Sequence, residues 1–304
     1  MIEAKGLTKS FEDFIALDKV SCQIPDGCIY GMVGSNGAGK STFLRVLAGI
    51  YQADGGSITV EGQSVWENFE VKNQMMFVPD ELYFLPGANL VRMAQFYKNL
   101  YKSFDDDRFS ALVEAFRLPK TKPIHSFSKG MKRQAAILLA LASRPKILLF
   151  DETFDGLDPM MRKLVKSYIY SDVAERGVTV IITSHSLREL EDLCDQLVLL
   201  HKGGVVLESQ VSHLKTGVSK VQVAFSYDYD KTLFEGLDVV SFEKNGSVAN
   251  IIVRGDRGEI EQAVLAKNPL ICEVLPLTLE EVFLYEMTSL GYDFKDVWEE
   301  LNNE

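Results

Sequence analysis

Residues 34–41 read Gly34-Ser35-Asn36-Gly37-Ala38-Gly39-Lys40-Ser41, the pattern G-x-x-x-x-G-K-[ST]. The glycines let the backbone fold tightly enough to turn its N–H groups inward on a chain of phosphates. Lys40 brings a positive charge to β- and γ-phosphates, and the Ser41 hydroxyl is placed to hold Mg²⁺. The flanks agree with this. Cys28–Val33 is an apolar, strand-like run, and Thr42–Ala48 reads as a helix whose N-terminus faces the phosphates. Strand, loop and helix in that order make a chance glycine-rich turn a poor explanation.

The rest of the chain bounds what such a loop can serve. With 304 residues and 46% hydrophobic content it can bury a large core, and its length fits about two domains. The net charge is −11, which excludes a basic nucleic-acid footprint at the level of composition. The acidity is local. Residues 219–304 hold 7 Lys+Arg against 17 Asp+Glu, whereas residues 1–218 hold 25 against 26. A near-neutral body with an acidic C-terminal segment fits two units with different tasks. Cys22, Cys28, Cys194 and Cys272 form no C-x-x-C pair and sit in apolar settings, so they read as buried or free thiols. The N-terminus is not a signal peptide. The longest compact apolar run, Ala135–Ala142, falls far short of the ~18 residues that span a bilayer, so any membrane role comes through a partner.

Residues 1–33 alternate apolar and polar around turns, as short strands of an antiparallel layer do. Ser57–Val60 and Gln74–Val78 are further strands. From Ala88 to Ser143 the spacing becomes helical, in three segments (Ala88–Leu100, Asp106–Arg117, Lys129–Ser143), with Asp105 or Asp106 as an N-cap. Ile147–Phe150, Val178–Ile182 and Gln196–Leu200 are continuous apolar runs separated by helices, as a buried parallel sheet requires. A boundary falls near Thr216-Gly217. Beyond it, strand signals at Val221–Tyr227, Val239–Glu243, Val248–Arg254 and Cys272–Leu275, an Asn245-Gly246 hairpin turn, and helices at Gly258–Ala266 and Leu279–Thr288 make a small α+β unit. Phe294, Val297, Trp298 and Leu301 then line one face of a helix that either docks on its own domain or binds a partner.

Two further motifs carry chemistry. Ile147-Leu148-Leu149-Phe150-Asp151-Glu152 is an apolar strand ending in two carboxylates: Asp151 can reach Mg²⁺ and Glu152 can polarise an attacking water. Phe127-Ser128-Lys129-Gly130-Met131 opens a helix, where a hydroxyl and free backbone N–H groups face an anion. With the phosphate loop before and the Asp-Glu pair after it, the chain resembles the nucleotide-binding subunits of ATP-binding cassette (ABC) transporters over about residues 1–215.

The resemblance implies an α/β P-loop cassette over residues 1–216: a RecA-like core, an antiparallel β layer and a helical subdomain at about 82–145. A small α+β accessory domain follows over 217–304. It implies an ATPase in which Gly34, Ser35, Asn36, Gly37, Ala38, Gly39, Lys40, Ser41 and Thr42 bind ATP and Phe11 stacks on adenine. Glu152, Lys40 and His185 carry the catalysis, with His185, in Thr183-Ser184-His185, on the γ-phosphate. Ser128, Lys129, Gly130 and Met131 resemble the signature sequence, usually Leu-Ser-Gly-Gly-Gln, and act on the ATP of a second cassette. Asp158, in Gly156-Leu157-Asp158, resembles the D-loop. Mg²⁺ is held by Ser41, Asp151 and Asp80; Asp80, followed by Glu81, stands where the family has Gln. The partners implied are membrane-embedded permease subunits and a second cassette, identical or not, at the cytoplasmic face of the membrane. Leu275–Phe283 resembles a segment of exporter-type subunits, which tilts the reading toward export of antimicrobials or amphipathic peptides. An ABC ATPase of ribosomes or nucleic acid is the alternative. Tandem cassettes, a long coiled coil or basic surfaces would favour it, and the sequence has none of these.

Overall fold

Two long antiparallel strands lead the chain, β1 (Ile2–Phe11) and β2 (Phe14–Ile24). The sequence pattern predicts short strands here. The structure instead keeps each strand continuous and slips its phase with bulges: Ile2, Ala4 and Leu7 are all buried, and the pairing shifts between Ala4 and Leu7. Gly6 and Lys19, both at positive φ, lie where the pairing slips. The computed structural model describes residues 1–211, 218–275 and 277–282. The chain divides into one unit of Met1–Glu208 and a second beginning at Ser209.

In the first unit, β3 (Ile29–Val33) runs into the phosphate loop and α1 (Lys40–Leu47) leaves it. Next come β4 (Gly55–Val60), β5 (Gln63–Ser64), the single turn α2 (Phe69–Lys72) and β6 (Met75–Val78). The helical segment is α3 (Leu90–Leu100), α4 (Asp106–Phe116) and α5 (Lys129–Ala142). It is followed by β7 (Ile147–Asp151), α6 (Pro159–Arg176), β8 (Thr179–Ser184), α7 (Leu187–Glu191), β9 (Gln196–His201) and β10 (Gly204–Gln210). Two sheets result. One is antiparallel, in the order β2-β1-β4-β5. The other, in the order β10-β9-β3-β8-β7-β6, is parallel from β9 through β6.

The helix α1 lies in the core that joins both sheets. Phe43, Leu44 and Leu47 pack in one cluster with Ile2, Leu17 and Ile58 of the antiparallel layer and Met32, Leu149 and Val198 of the parallel sheet. Each such side chain contributes about 1.5–3 kcal/mol on burial, so the helix carrying Lys40 and Ser41 is fixed by the core itself. The helical segment is tied down by charge. Buried Asp172 of α6 pairs with Arg108 of α4 at 2.7 Å and with Arg176 at 3.2 Å. Of the two candidates for the N-cap of α4, Asp105 is the one that caps it, accepting from Arg108 N at 2.9 Å.

The second unit holds β11 (Val218–Ala224), β12 (Asp238–Asn245), β13 (Val248–Arg254), α8 (Arg257–Leu265) and β14 (Ile271–Leu275). Its sheet is antiparallel in the order β12-β13-β11-β14. Asn245 pairs with Val248 across the turn, with Gly246 at φ 65. With a 3-10 turn at Lys231–Phe234 in place of a first helix, this is the order of a split β-α-β unit. Val221, Val223, Ile251 and Val253 pack on Ile260, Val264 and Phe234. The boundary at Thr216-Gly217, the Pro276 and Phe283 ends of the exporter-like segment, the rest of the helix beyond Val282 and the apolar stripe Phe294–Leu301 lie outside the described residues. Among the described residues no helix is long and apolar enough to cross a membrane.

Burial separates the four cysteines. It pushes the thiols of Cys22 and Cys28 up to about 12 and raises those of buried Cys194 and of Cys272 as well, but Cys272 is only half-buried. A disulfide reagent at pH 8 will therefore modify Cys272 first and the other three only as fast as the protein opens. A second thiol reacting as fast as Cys272 would contradict this placement.

Candidate active site

The phosphate loop is shaped by close backbone approaches. A Cβ on Gly34 would stand 2.4 Å from the Leu200 carbonyl oxygen, and one on Gly39 2.5 Å from that of Ala16. Gly39 also sits at φ 105, where a side chain is strained, and caps α1 without a side-chain bond. The first N–H groups of α1 are therefore presented to the loop interior. A cleft of about 190 Å³ opens there. Asn36, Gly37, Ala38, Gly39, Lys40, Ser41 and Thr42 line it, together with Phe14, Ala16, Asp80 and Glu152. Gly34 and Ser35 lie behind the cleft, where their carbonyls accept from Lys40 Nζ at 2.6 and 3.2 Å.

Asp151 ends the buried strand β7. Its Oδ1 accepts from Ser41 Oγ and from Thr183 Oγ1, both at 2.8 Å, while its Oδ2 is buried without a hydrogen-bond partner. A buried carboxylate oxygen left bare beside a hydroxyl of the phosphate loop fits a divalent cation: hard, oxygen-seeking and held with phosphate oxygens. Glu152 follows at φ 45, a left-handed conformation rare for its type. Its N–H donates to Thr183 Oγ1 at 3.0 Å, which holds the strained turn. One carboxylate oxygen lies 3.1 Å from Lys40 Nζ, and the other accepts from His185 N at 3.3 Å and lies 3.1 Å from His185 Nδ1. The same Nδ1 also has Asp155 Oδ2 at 3.7 Å. Asp155 is a neighbour that the sequence reading missed. It lies in the turn after Glu152, and only the fold of that turn carries it to His185.

Phe11 and Asp80 each have neighbours that the sequence did not foretell. Phe11 does not line the cleft; its ring stands edge-on to Tyr51 with centroids 5.2 Å apart and carries Lys9 at 5.4 Å. The aromatic that does line it is Phe14, paired with Phe11 across the β1–β2 turn. The hairpin register was the signal that could have revealed it. Asp80 does line the cleft, but its carboxylate is already engaged. Oδ1 accepts from Arg133 at 2.7 Å, and the backbone oxygen accepts from the same guanidinium at 2.9 Å. Asp80 is thus an ion-pair partner of α5, where the sequence reading makes it a metal ligand.

The signature-like residues are absent from the cleft of their own chain. Ser128 caps α5, accepting from Met131 N at 3.2 Å, and together with Lys129 it is exposed. A Cβ on Gly130 would meet the Gly156 carbonyl at 3.1 Å, so the turn after Glu152 packs closely on this helix start. Asp158 caps α6 through Met161 N at 2.9 Å.

These elements recur in known proteins. A family model for ABC transporters matches residues 17–155. A lantibiotic transport ATP-binding protein, SrtF of Streptococcus pyogenes, is 30% identical over 224 residues, covering 69% of this chain and 91% of that protein. The chain belongs to the ATP-binding proteins of ABC transporters. The ABC transporter ATP-binding protein YtrB of Bacillus subtilis is 29% identical and covers 93% of this chain and 97% of that protein. The bacitracin transport ATP-binding protein BcrA of Bacillus licheniformis is 29% identical over 92% and 94%. A solved ATP-binding subunit of an ABC transporter superposes with a TM-score of 0.66 at 25% identity, covering 71% of this chain and 92% of that one. A dimeric bacterial ABC cassette shares the fold, with a TM-score of 0.64 over 69% of this chain. The chain is accordingly an ATPase cassette. Such ATP-binding subunits work with membrane permeases.

The bare Asp151 oxygen gives a direct test. Asp151→Asn should raise the Mg²⁺ concentration that half-saturates ATP hydrolysis by about tenfold or more. An unchanged Mg²⁺ dependence would remove Asp151 from the metal site.

Proposed function

We propose that this cassette powers a membrane exporter of antimicrobials or amphipathic peptides from the cytoplasmic face of the membrane, by closing on a second cassette around ATP. The observation that carries the motor part of this reading is the divided site. The cleft holds residues 36–42 of the phosphate loop and the Glu152 carboxylate, while Ser128–Met131 lie elsewhere on the chain with an exposed helix start. A helix N-terminus is a ready anion site. A second copy placed head to tail brings one to each cleft, and the result is two ATP sites per pair.

Within the closed site we assign each residue a role that its neighbours and the family resemblance support. Lys40 leaves the Gly34 and Ser35 carbonyls and Glu152 for the β- and γ-phosphates. Glu152, released from Lys40 but still bonded to the His185 N–H, accepts a proton from water as the water oxygen attacks the γ-phosphorus. The bond to the bridging oxygen breaks, and ADP leaves with that electron pair. His185 holds the γ-phosphate. A divalent cation held by Ser41 and Asp151 supplies charge neutralisation on the phosphate oxygens. The antimicrobial part of the reading rests on relatives. BcrA and SrtF are named for transport of bacitracin and a lantibiotic, and BcrA aligns along nearly the whole chain. The acidic second unit is proposed as an accessory domain of this subunit.

Glu152→Gln should lower the ATPase rate at least a hundredfold, on the order of a general base removed, and should leave a protein that dimerises in MgATP by sedimentation. An undiminished rate would remove Glu152 from the base role. Loss of dimerisation in that variant would count against the paired cassette.

A further inference from the structure

The Asp80–Arg133 pair spans two parts of the machinery that act on different ATP molecules. Asp80 follows β6 and edges the phosphate cleft of its own chain. Arg133 lies on α5 five residues beyond Ser128, whose helix start serves the other cassette under the proposed function. The guanidinium is buried, with 2% of the side chain exposed, and it grips Asp80 twice, at the backbone oxygen and at the carboxylate. The Asp80 side chain itself is 58% exposed at the cleft edge.

We infer that Asp80 and Arg133 form a strut that sets the position of a chain's own Ser128–Met131 from the edge of its own ATP cleft, so that each cleft controls the half-site it lends to its partner. The inference rests on the paired-cassette reading. Its physical basis is the two-point hold. A planar guanidinium bonded to both the backbone and the side chain of one residue fixes distance and orientation together. A buried cation that loses its carboxylate is left uncompensated, and the helix carrying it shifts to find water or another partner. A shift of about 1 Å at a site that must meet a phosphate costs on the order of a hundredfold in rate. The strut also accounts for the residue type at position 80. A neutral amide there would leave Arg133 without a counter-charge, whereas Asp provides one. The carboxylate is thereby committed to Arg133 and makes Asp80 a positioning residue.

The test uses full-length protein with Glu152→Gln as the parent, reading monomer affinity with a fluorescent ATP analogue and MgATP-driven dimerisation by sedimentation. Arg133→Gln should leave the analogue's Kd within about threefold yet weaken dimerisation at least tenfold, and Asp80→Asn should weaken dimerisation similarly. The double variant Asp80→Gln/Arg133→Gln, which removes both charges, should recover most of the loss. A double variant no better than the singles, or singles that dimerise like the parent, would overturn the strut. So would an Asp80→Asn defect that excess Mg²⁺ abolishes, since that marks a metal ligand. If Arg133→Gln does not fold, Asp80→Asn and the double variant decide alone. A parent that fails to dimerise would instead strike the paired-cassette reading.

Discussion

The carboxylate of Asp151 is the point on which the site depends. Fully buried at the end of β7, it takes hydroxyl bonds from Ser41 on α1 and Thr183 on β8, and so pins three elements of different sequence origin to one oxygen. Thr183 in turn accepts the N–H of Glu152, which lets that residue hold a left-handed backbone and aim its carboxylate at the loop. An ionised group in such a place is expensive unless it is fully satisfied. Its second oxygen is the unsatisfied part. The strand order brings these pieces together, because β7 and β8 are adjacent and β3, which delivers the loop, is the next strand over.

The same logic applies to Lys40. Its ammonium lies against the Gly34 and Ser35 carbonyls and Glu152. Charge is balanced locally, with one buried cation facing one carboxylate. Lys40 itself begins α1, which Phe43, Leu44 and Leu47 lock in the core.

Much of this was legible in the sequence, for identifiable reasons. Parallel strands buried on both faces leave continuous apolar runs, and Ile147–Phe150 and Gln196–Leu200 could be read almost to the residue. Helix starts announce themselves through side chains such as Asp105 and Ser128. The phosphate loop is spelled out by a contiguous motif, in which Gly34 and Gly39 are required by the Leu200 and Ala16 carbonyls and Gly37 by its positive φ. What was not legible depends on distant pairing. The bulges near Gly6 and Lys19 let one strand continue where the alternation of apolar and polar residues breaks, which reads as a strand end in the sequence. Phe14 reaches the cleft through hairpin register, and Asp155 reaches His185 through one turn's path. Asp80 was read as a ligand because it stands where the family has Gln; its partner Arg133 lies fifty-three residues on, in a helix whose local sequence gives no sign of the contact.

The central claim is that the phosphate loop at residues 34–41 belongs to half of a site and that the other half comes from another chain. The most direct measurement mixes two inactive proteins, Lys40→Ala and Ser128→Arg, and follows ATP hydrolysis. In a head-to-tail pair of the two, one cleft combines an intact Lys40 with an intact Ser128, so the mixture should hydrolyse ATP well above either protein alone. A mixture as inactive as its components, with mixed dimers demonstrably formed, would mean that each cassette completes its own site and would contradict the account.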